Sequence, residues 1–420
     1  MRESEFETRN ASAAERDEGY VEERVVEYVT NRRQRGLLVI ALVVLFLLLI
    51  ALIVGVTMLS SPVGAPRADD LPDDIEWVRS IYGWGTAPEQ ALVGPVDAAV
   101  APDGTIWVVS GRTTLVAFEP DGSLRRLVEL PFGEGEGQAS ALEGLDVGDD
   151  GSVFVCDYGN NKVIVLSPEG ELIDEWGVQL PNEIAVQGDR VALAAAFGVG
   201  VFSTQGEPIS TWGSRGAGLD EFDLPHGIEF GENGEVFVAD THNERVKAYT
   251  QDGRLLWVSR TSGVPAGEAS TETTGSAYQL PAGMTLDAAG RLLVVDPFEF
   301  AIFALDPKTG DITGRYGEFG SADGLFAYPT GLSYDATRDW FAVADTANNR
   351  VQIIRLTGSG GNAVVSTIAT AFDRPIWLFL LPILLLLAAL AVALARRKRQ
   401  RLEARGVTGF AVQDGARSAD

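Results

Sequence analysis

The sequence predicts an all-β fold, a six-bladed β-propeller closed by an N-terminal strand and flanked by two transmembrane α-helices. Three observations carry this expectation. A unit of two short strands joined by a turn recurs six times between Pro95 and Arg355, opened by Pro in five copies and turned by Asp-Gly or Asn-Gly in three, and a period of about 40–50 residues signals a repeat architecture. Glycine is abundant, 47 of 420 residues, beside 46 % hydrophobic residues, which suits many short strands joined by tight turns. Two long runs, 37–59 and 375–395, are free of charge.

Residues 1–36 form an acidic, polar arm in which Val21, Val25, Val26 and Val29 have the spacing of one amphipathic helix. The run 37–59 exceeds the roughly 20 residues that cross a bilayer as a helix. It is also longer than the apolar core of a signal peptide, so an uncleaved anchor is expected. A linker, 60–71, leads to the repeat region, 72–357.

The best copy reads Leu224-Pro225-His226-Gly227, then Asn233-Gly234, then Val236 to Asp240, then Asn243 and Arg245. Tyr328-Pro329-Thr330-Gly331 with Asp345, Asn348 and Arg350 repeats it, as does Leu142-Glu143-Gly144 with Asp157, Asn160 and Lys162. Three degenerate copies start at Pro95, Pro181 and Pro281. Each copy predicts three or four antiparallel strands that cannot bury both faces alone; radial stacking covers them. The last copy ends at Arg355 without an outer Trp-Gly strand, and Ile75 to Gly85 has the pattern of that missing strand. Its pairing into the sixth blade would close the ring.

These residues resemble the NHL-repeat family, whose signature is a Pro-x-Gly strand followed by Val-Ala-Asp-x-x-Asn-x-Arg-Val. The resemblance covers roughly residues 72–357 and is specific in three copies. It implies a propeller used mostly for binding, with members among cell-surface receptors, sensor domains of bacterial kinases, RNA-binding tripartite-motif proteins and a class of zinc-dependent lyase. The signature residues Asp157, Asn160, Asp240, Asn243, Arg245, Asp345, Asn348 and Arg350 are expected to be structural, because Asp and Asn cap tight turns and Arg forks onto them.

After a second linker, 358–374, the run 375–395 is read as a second span, and residues 396–420 as a basic tail. Arg32, Arg33 and Arg35 precede the first span and Arg396, Arg397, Lys398, Arg399 and Arg401 follow the second. The positive-inside rule therefore places both termini in the cytoplasm and the propeller outside the plasma membrane. The single cysteine, Cys156, precludes an internal disulfide, and the composition suits a bacterium. A net charge of −26 argues against nucleic-acid binding, which needs clustered Lys and Arg.

The residue after each blade's Pro should line one mouth of the central channel: Val96, Glu143, Asn182, His226, Ala282 and Thr330. Connections between blades emerge on the same face at 83–93, 130–140, 213–223, 259–279 and 316–327. Polar Glu143, Asn182, His226 and Thr330 under such loops are the expected ligand site, and the expected function is a non-enzymatic, membrane-anchored module that recognises a protein, peptide or glycan. The alternative is a hydrolase or lyase holding a divalent cation, calcium or zinc, at Glu143, Asn182 and His226. A three-histidine zinc site is excluded, since His242 is the only other histidine. Asp97 and Glu183 lie one position further on, and no nucleophile or nucleotide-binding motif occurs.

Overall fold

Six antiparallel sheets of four strands each follow one another around a closed ring. The structure is a computed structural model that describes residues 74–361 apart from 129, 132, 134–137 and 260–276. The arm, both expected spans, most of the Ser259–Tyr278 connection and the basic tail lie outside the described residues. Among the described residues, no helix is long and apolar enough to cross a membrane.

Blade 1 comprises Pro95–Val100, Ile106–Ser110, Thr114–Phe118 and Leu124–Val128, and blade 2 comprises Leu142–Val147, Val153–Asp157, Lys162–Leu166 and Leu172–Gly177. Blades 3, 4 and 5 repeat the plan from Pro181–Gln187, Gly227–Phe230 and Met284–Leu286. The degenerate copies are therefore full blades. Blade 6 takes three strands from its own repeat, Pro329–Asp335, Trp340–Asp345 and Arg350–Leu356. Its fourth is Ile75–Ile81, antiparallel to Arg350–Leu356 with Ile75 opposite Leu356 and Ile81 opposite Val351. The inner strand of each blade contacts that of the next, and Pro329–Asp335 meets Pro95–Val100, so the ring closes where the N-terminal strand enters.

The apolar runs in the two middle strands of each blade have a simple cause. In blade 1, Ala98, Ile106 and Val108 face blade 6, whereas Ala99, Trp107 and Val109 face blade 2. A strand's side chains alternate between faces, so a strand covered on both sides must be apolar throughout. Six cores result, each between two consecutive blades. Each large apolar side chain fully buried there contributes about 1.5–3 kcal/mol. Cys156 is one of these wall residues, wholly buried between blades 2 and 3.

The outer Trp residues clamp successive blades. Trp176, Trp212 and Trp257 each lie under the turn between the two outer strands of the following blade, against Gly206, Gly253 and Gly310. Those glycines have φ of +81°, +84° and +74°, and a Cβ there would sit within 2.4–2.9 Å of the indole. Left-handed geometry and ring contact both demand glycine. Trp257 Nε1 also donates to Pro307 O at 2.8 Å across the blade interface.

Candidate functional site

In an antiparallel meander the turns alternate between two ends. Turns after each innermost strand lie at one end; blade-to-blade connections and the turns between middle strands share the other, here called the loop face. The three complete signature turns sit on it. Asp240 Oδ2 accepts from Arg245 Nε at 2.8 Å and pairs with Lys247 at 3.0 Å, while Oδ1 accepts from Asn243 and from the N–H of Asp223. Asp345 binds Asn348, Arg350, Gln352 and the N–H of Ala327 in the same way. Asp157 accepts from Asn160 and from the N–H groups of Ser140 and Ala141. Each aspartate thus ties the turn of its own blade to the connection that enters it.

The six positions after the Pro lie at the blade junctions, and half of them are occupied by neighbouring blades. Asn182 Nδ2 donates to Pro225 O at 3.0 Å, Thr330 Oγ1 donates to Val96 O at 2.5 Å, and Glu143 is ion-paired with Arg112. Glu143, Asn182 and Ala282 are buried. The mouth is thus less open than the alignment implies, because buried polar groups at a blade junction find partners in the adjoining backbone. Arg112, in the turn between the middle strands of blade 1, reaches the mouth from a position that sequence reasoning passed over. Nothing in a lone Ser-Gly-Arg turn marks it.

His226 is positioned by its N–H, which bonds Ala239 O and Thr241 Oγ1. Burial, then the charges of Arg112 and His242, pushes its imidazole down to about 4, so it is neutral near pH 7. Glu143, Asn182 and His226 are the residues to which a cation would be assigned. Among the described residues, no group of three or more His, Cys, Asp or Glu is arranged to hold one.

Below the mouth the channel is lined with acids. Asp97 and Glu183 occupy, in blades 1 and 3, the position that is Gly144, Gly227, Gly283 and Gly331 in the other four. A Cβ on Gly331 would lie 2.1 Å from Asp97 Oδ1, and one on Gly144 would lie 2.1 Å from Glu183 Oε1. Two glycines therefore make room for two carboxyl groups. Asp97 accepts from Ala98 N and from Leu145 N of the next blade, both at 2.8 Å, and Asp146 accepts from Val147 N and from Val186 N at 2.7 Å. Inner strands have one unpaired edge, and these carboxylates supply its missing acceptors.

Burial raises these acids. Asp97 reaches about 6, Asp146 about 7 and Glu229 about 8; Glu183 also moves well above its usual range. Burial is the largest cause in every case, opposed for Asp97, Asp146 and Glu229 by backbone N–H donors. Part of the Asp146, Glu183 and Glu229 surface stays open to the channel, yet protein surrounds them and bulk water is distant, so desolvation dominates. The charge of Asp97 adds to the upward shift of Glu183.

Residues 222–249, spanning most of blade 4, match the family profile of the NHL repeat. Mouse NHL repeat-containing protein 3 is 26 % identical over 248 residues, covering 53 % of this chain and 67 % of the relative, and the human protein is 25 % identical over the same shares. The chain thus carries an NHL repeat in blade 4 of a six-bladed propeller. Among solved structures, a streptogramin B lyase shares 13 % identity at a TM-score of 0.45, covering 68 % of this chain and 98 % of that one. Virginiamycin B lyase from Staphylococcus aureus shares 15 % at 0.44, covering 65 % and 83 %. Likenesses this distant carry no argument about activity.

Beyond the channel, the two ends of the propeller differ. Between blades 1 and 2, on the end opposite the loop face, lies a pocket of about 240 Å³ lined by Pro102, Asp103, Trp107, Asp150 and Pro168. It falls below the roughly 300–1,000 Å³ of small-molecule sites. The loop face instead exposes large apolar side chains: Val93 at 62 %, Leu219 at 50 %, Phe298 at 50 % and Phe319 at 68 %.

Proposed function

We propose that this NHL propeller is a binding or scaffold module that recognises a partner through its loop face, held outside the plasma membrane by apolar segments 37–59 and 375–395. The exposure of Phe298 and Phe319 beside the channel mouth is the observation that carries the reading. Contiguous exposed apolar surface on a soluble domain marks an interaction site. The channel supports it from the other side, since Asp97 and Asp146 are engaged with backbone N–H groups. The anchoring rests on the length of the two apolar segments and on the arginines outside them.

The test uses the full chain in intact cells. A photo-crosslinking amino acid at position 319 is expected to yield a discrete adduct, and one at Asp121, in a turn on the opposite end, none. Ser123→Cys, on the same exposed turn, should react with a membrane-impermeant maleimide, against a low background because Cys156 is buried. Equal crosslinking from both ends would sink the recognition face. Labelling only after lysis would sink the topology.

A further inference from the structure

Four aromatic rings from blades 5 and 6 meet on the loop face. Phe300 and Phe319 have centroids 4.8 Å apart, and Phe298 meets Tyr328 edge-on at 5.6 Å. Phe298 and Phe300 belong to the turn between the middle strands of blade 5, Phe319 to the connection from blade 5 to blade 6, and Tyr328 to the entry of blade 6. Two of the rings stand on left-handed backbone, Phe300 at φ +55° and Tyr328 at φ +59°. That geometry is unfavourable for a bulky side chain. Blades 2 and 6 place Asn161 and Asn349 at the position of Phe300, and each asparagine also caps the N–H of the next connection, Leu180 or Gly94. Blade 5 forgoes that bond and holds a phenylalanine instead. The left-handed conformation recurs at the equivalent positions, Glu244 for Phe300 and Leu180 and Leu224 for Tyr328, so what distinguishes this rim is the aromatic side chains placed on it.

Charge beside the rings narrows the occupant. Glu318, adjacent to Phe319, is exposed and forms no ion pair among the described residues. Glu299 lies between Phe298 and Phe300, and the nearby Arg315 is occupied by Glu299 and by the carbonyls of Glu299 and Gly317. The whole chain carries −26. An anionic lipid surface is repelled by such a face. A glycan gains little from phenylalanines that have no hydrogen-bonding tip.

We propose that the ridge formed by Phe298, Phe300, Phe319 and Tyr328 docks a polypeptide segment of a partner protein in which aliphatic or aromatic anchors are flanked by lysine or arginine. This rests on the loop face being the recognition surface and specifies its ligand. The anchors bury Phe298 and Phe319, and the basic flanks pair with Glu318 and Glu299.

The test uses the full chain in detergent and two short fluorescent peptides of identical Leu and Phe content, one with lysines and the other with glutamates in their place. Fluorescence anisotropy should show the lysine peptide binding at least roughly tenfold tighter, and Phe319→Ser or Phe298→Ser should weaken it by about tenfold or more, as for central interface aromatics. Glu318→Lys, an exposed change that leaves the rings intact, should weaken the lysine peptide and strengthen the glutamate peptide. Equal binding of both peptides, indifference to Phe319→Ser, or no response to the charge reversal would overturn the proposal, as would oligosaccharide probes binding through these residues where the peptides do not. Peptide failure with a surviving crosslink from position 319 rejects the occupant alone; loss of both rejects the recognition face as well.

Discussion

Blades 5 and 6 share a plan and differ in what their loop-face turns do. In blade 6 the turn aspartate, Asp345, gathers Asn348, Arg350 and Gln352, and Arg350 reaches onward to Asp323, Tyr82 and the carbonyls of Ala322 and Leu325. In blade 5 Asp296 is as deeply buried, but its partners are four backbone N–H groups, of Gln279, Leu280, Phe298 and Glu299. No arginine follows; Ala301 stands in its place. A complete signature devotes the turn's side chains to joining blades. Where it has decayed, the aspartate alone keeps the turn, and the freed positions hold Phe298 and Phe300 at the surface.

The largest effect should come from separating the two aspartates. Asp345→Ala removes the nearer of the two carboxylates paired with Arg350, which is 1 % exposed and keeps only Asp323 at 3.2 Å, so a loss of about 3 kcal/mol is expected from a partly compensated buried charge. Asp296→Ala leaves only neutral donors unpaired and should cost less, about 1–3 kcal/mol. Denaturant unfolding of both variants decides the matter, and a costlier Asp296→Ala would reverse the comparison.

A second contrast sets the signature turns against the channel. Carboxyl groups whose folded pKa is raised bind more protons in the native than in the unfolded state, so they make stability fall as pH rises through the raised values. For Asp146 and Glu229 that means a fall up to and through about 7 and 8. His226, lowered to about 4, acts oppositely, costing stability as pH drops from its usual 6.5. Lys247, which burial lowers to about 8, also opposes the acids from that pH upward, so the interval from pH 6.5 to 7.5 is the one in which the acids dominate. Thermal unfolding should show Tm declining across it, and Glu229→Gln with Asp146→Asn should flatten the decline. A Tm that rises with pH in this interval would mean the channel acids are already ionised.

The smallest effect is expected at the strained turn. Phe300→Asn restores the residue found in blades 2 and 6 and should relieve about 1 kcal/mol of left-handed backbone cost, offset in part by the lost contact with Phe319. Calorimetry should find equal or slightly higher stability, while affinity for the lysine peptide falls. A marked destabilisation would make Phe300 a packing residue and remove the strain from the argument.

The blade plan was legible along the chain because its determinants are local. The glycine turns, the Pro that opens an inner strand and uninterrupted apolar pairs of strands survive even in the copy at Pro281. The closing strand was legible for the same reason: a Trp-Gly pattern stood before the first copy and was missing after the last. The candidate site was legible only as a set of positions. Glu143 and Asn182 were placed correctly at blade starts, yet their occupation by Arg112 and Pro225 O depends on neighbouring blades. Asp97 and Glu183 were visible as acids at a glycine position. Their packing against Gly331 and Gly144 of the neighbouring blades was not, because it arises only when the ring closes.

What the sequence determined by itself is therefore the repeat, the blade count, the closing strand and the burial of Cys156, all set by hydrophobic period and turn chemistry acting within a few residues. The ring alone decided which polar groups are spent on one another and which side chains remain exposed. Phe298, Phe300, Phe319 and Tyr328 are ordinary aromatics in the chain; they become a surface because closure brings two connections and a turn together at one rim. Burial of the channel acids and exposure of the rim aromatics are properties of convergence, and convergence is set by the closed circle of blades rather than by any one of them.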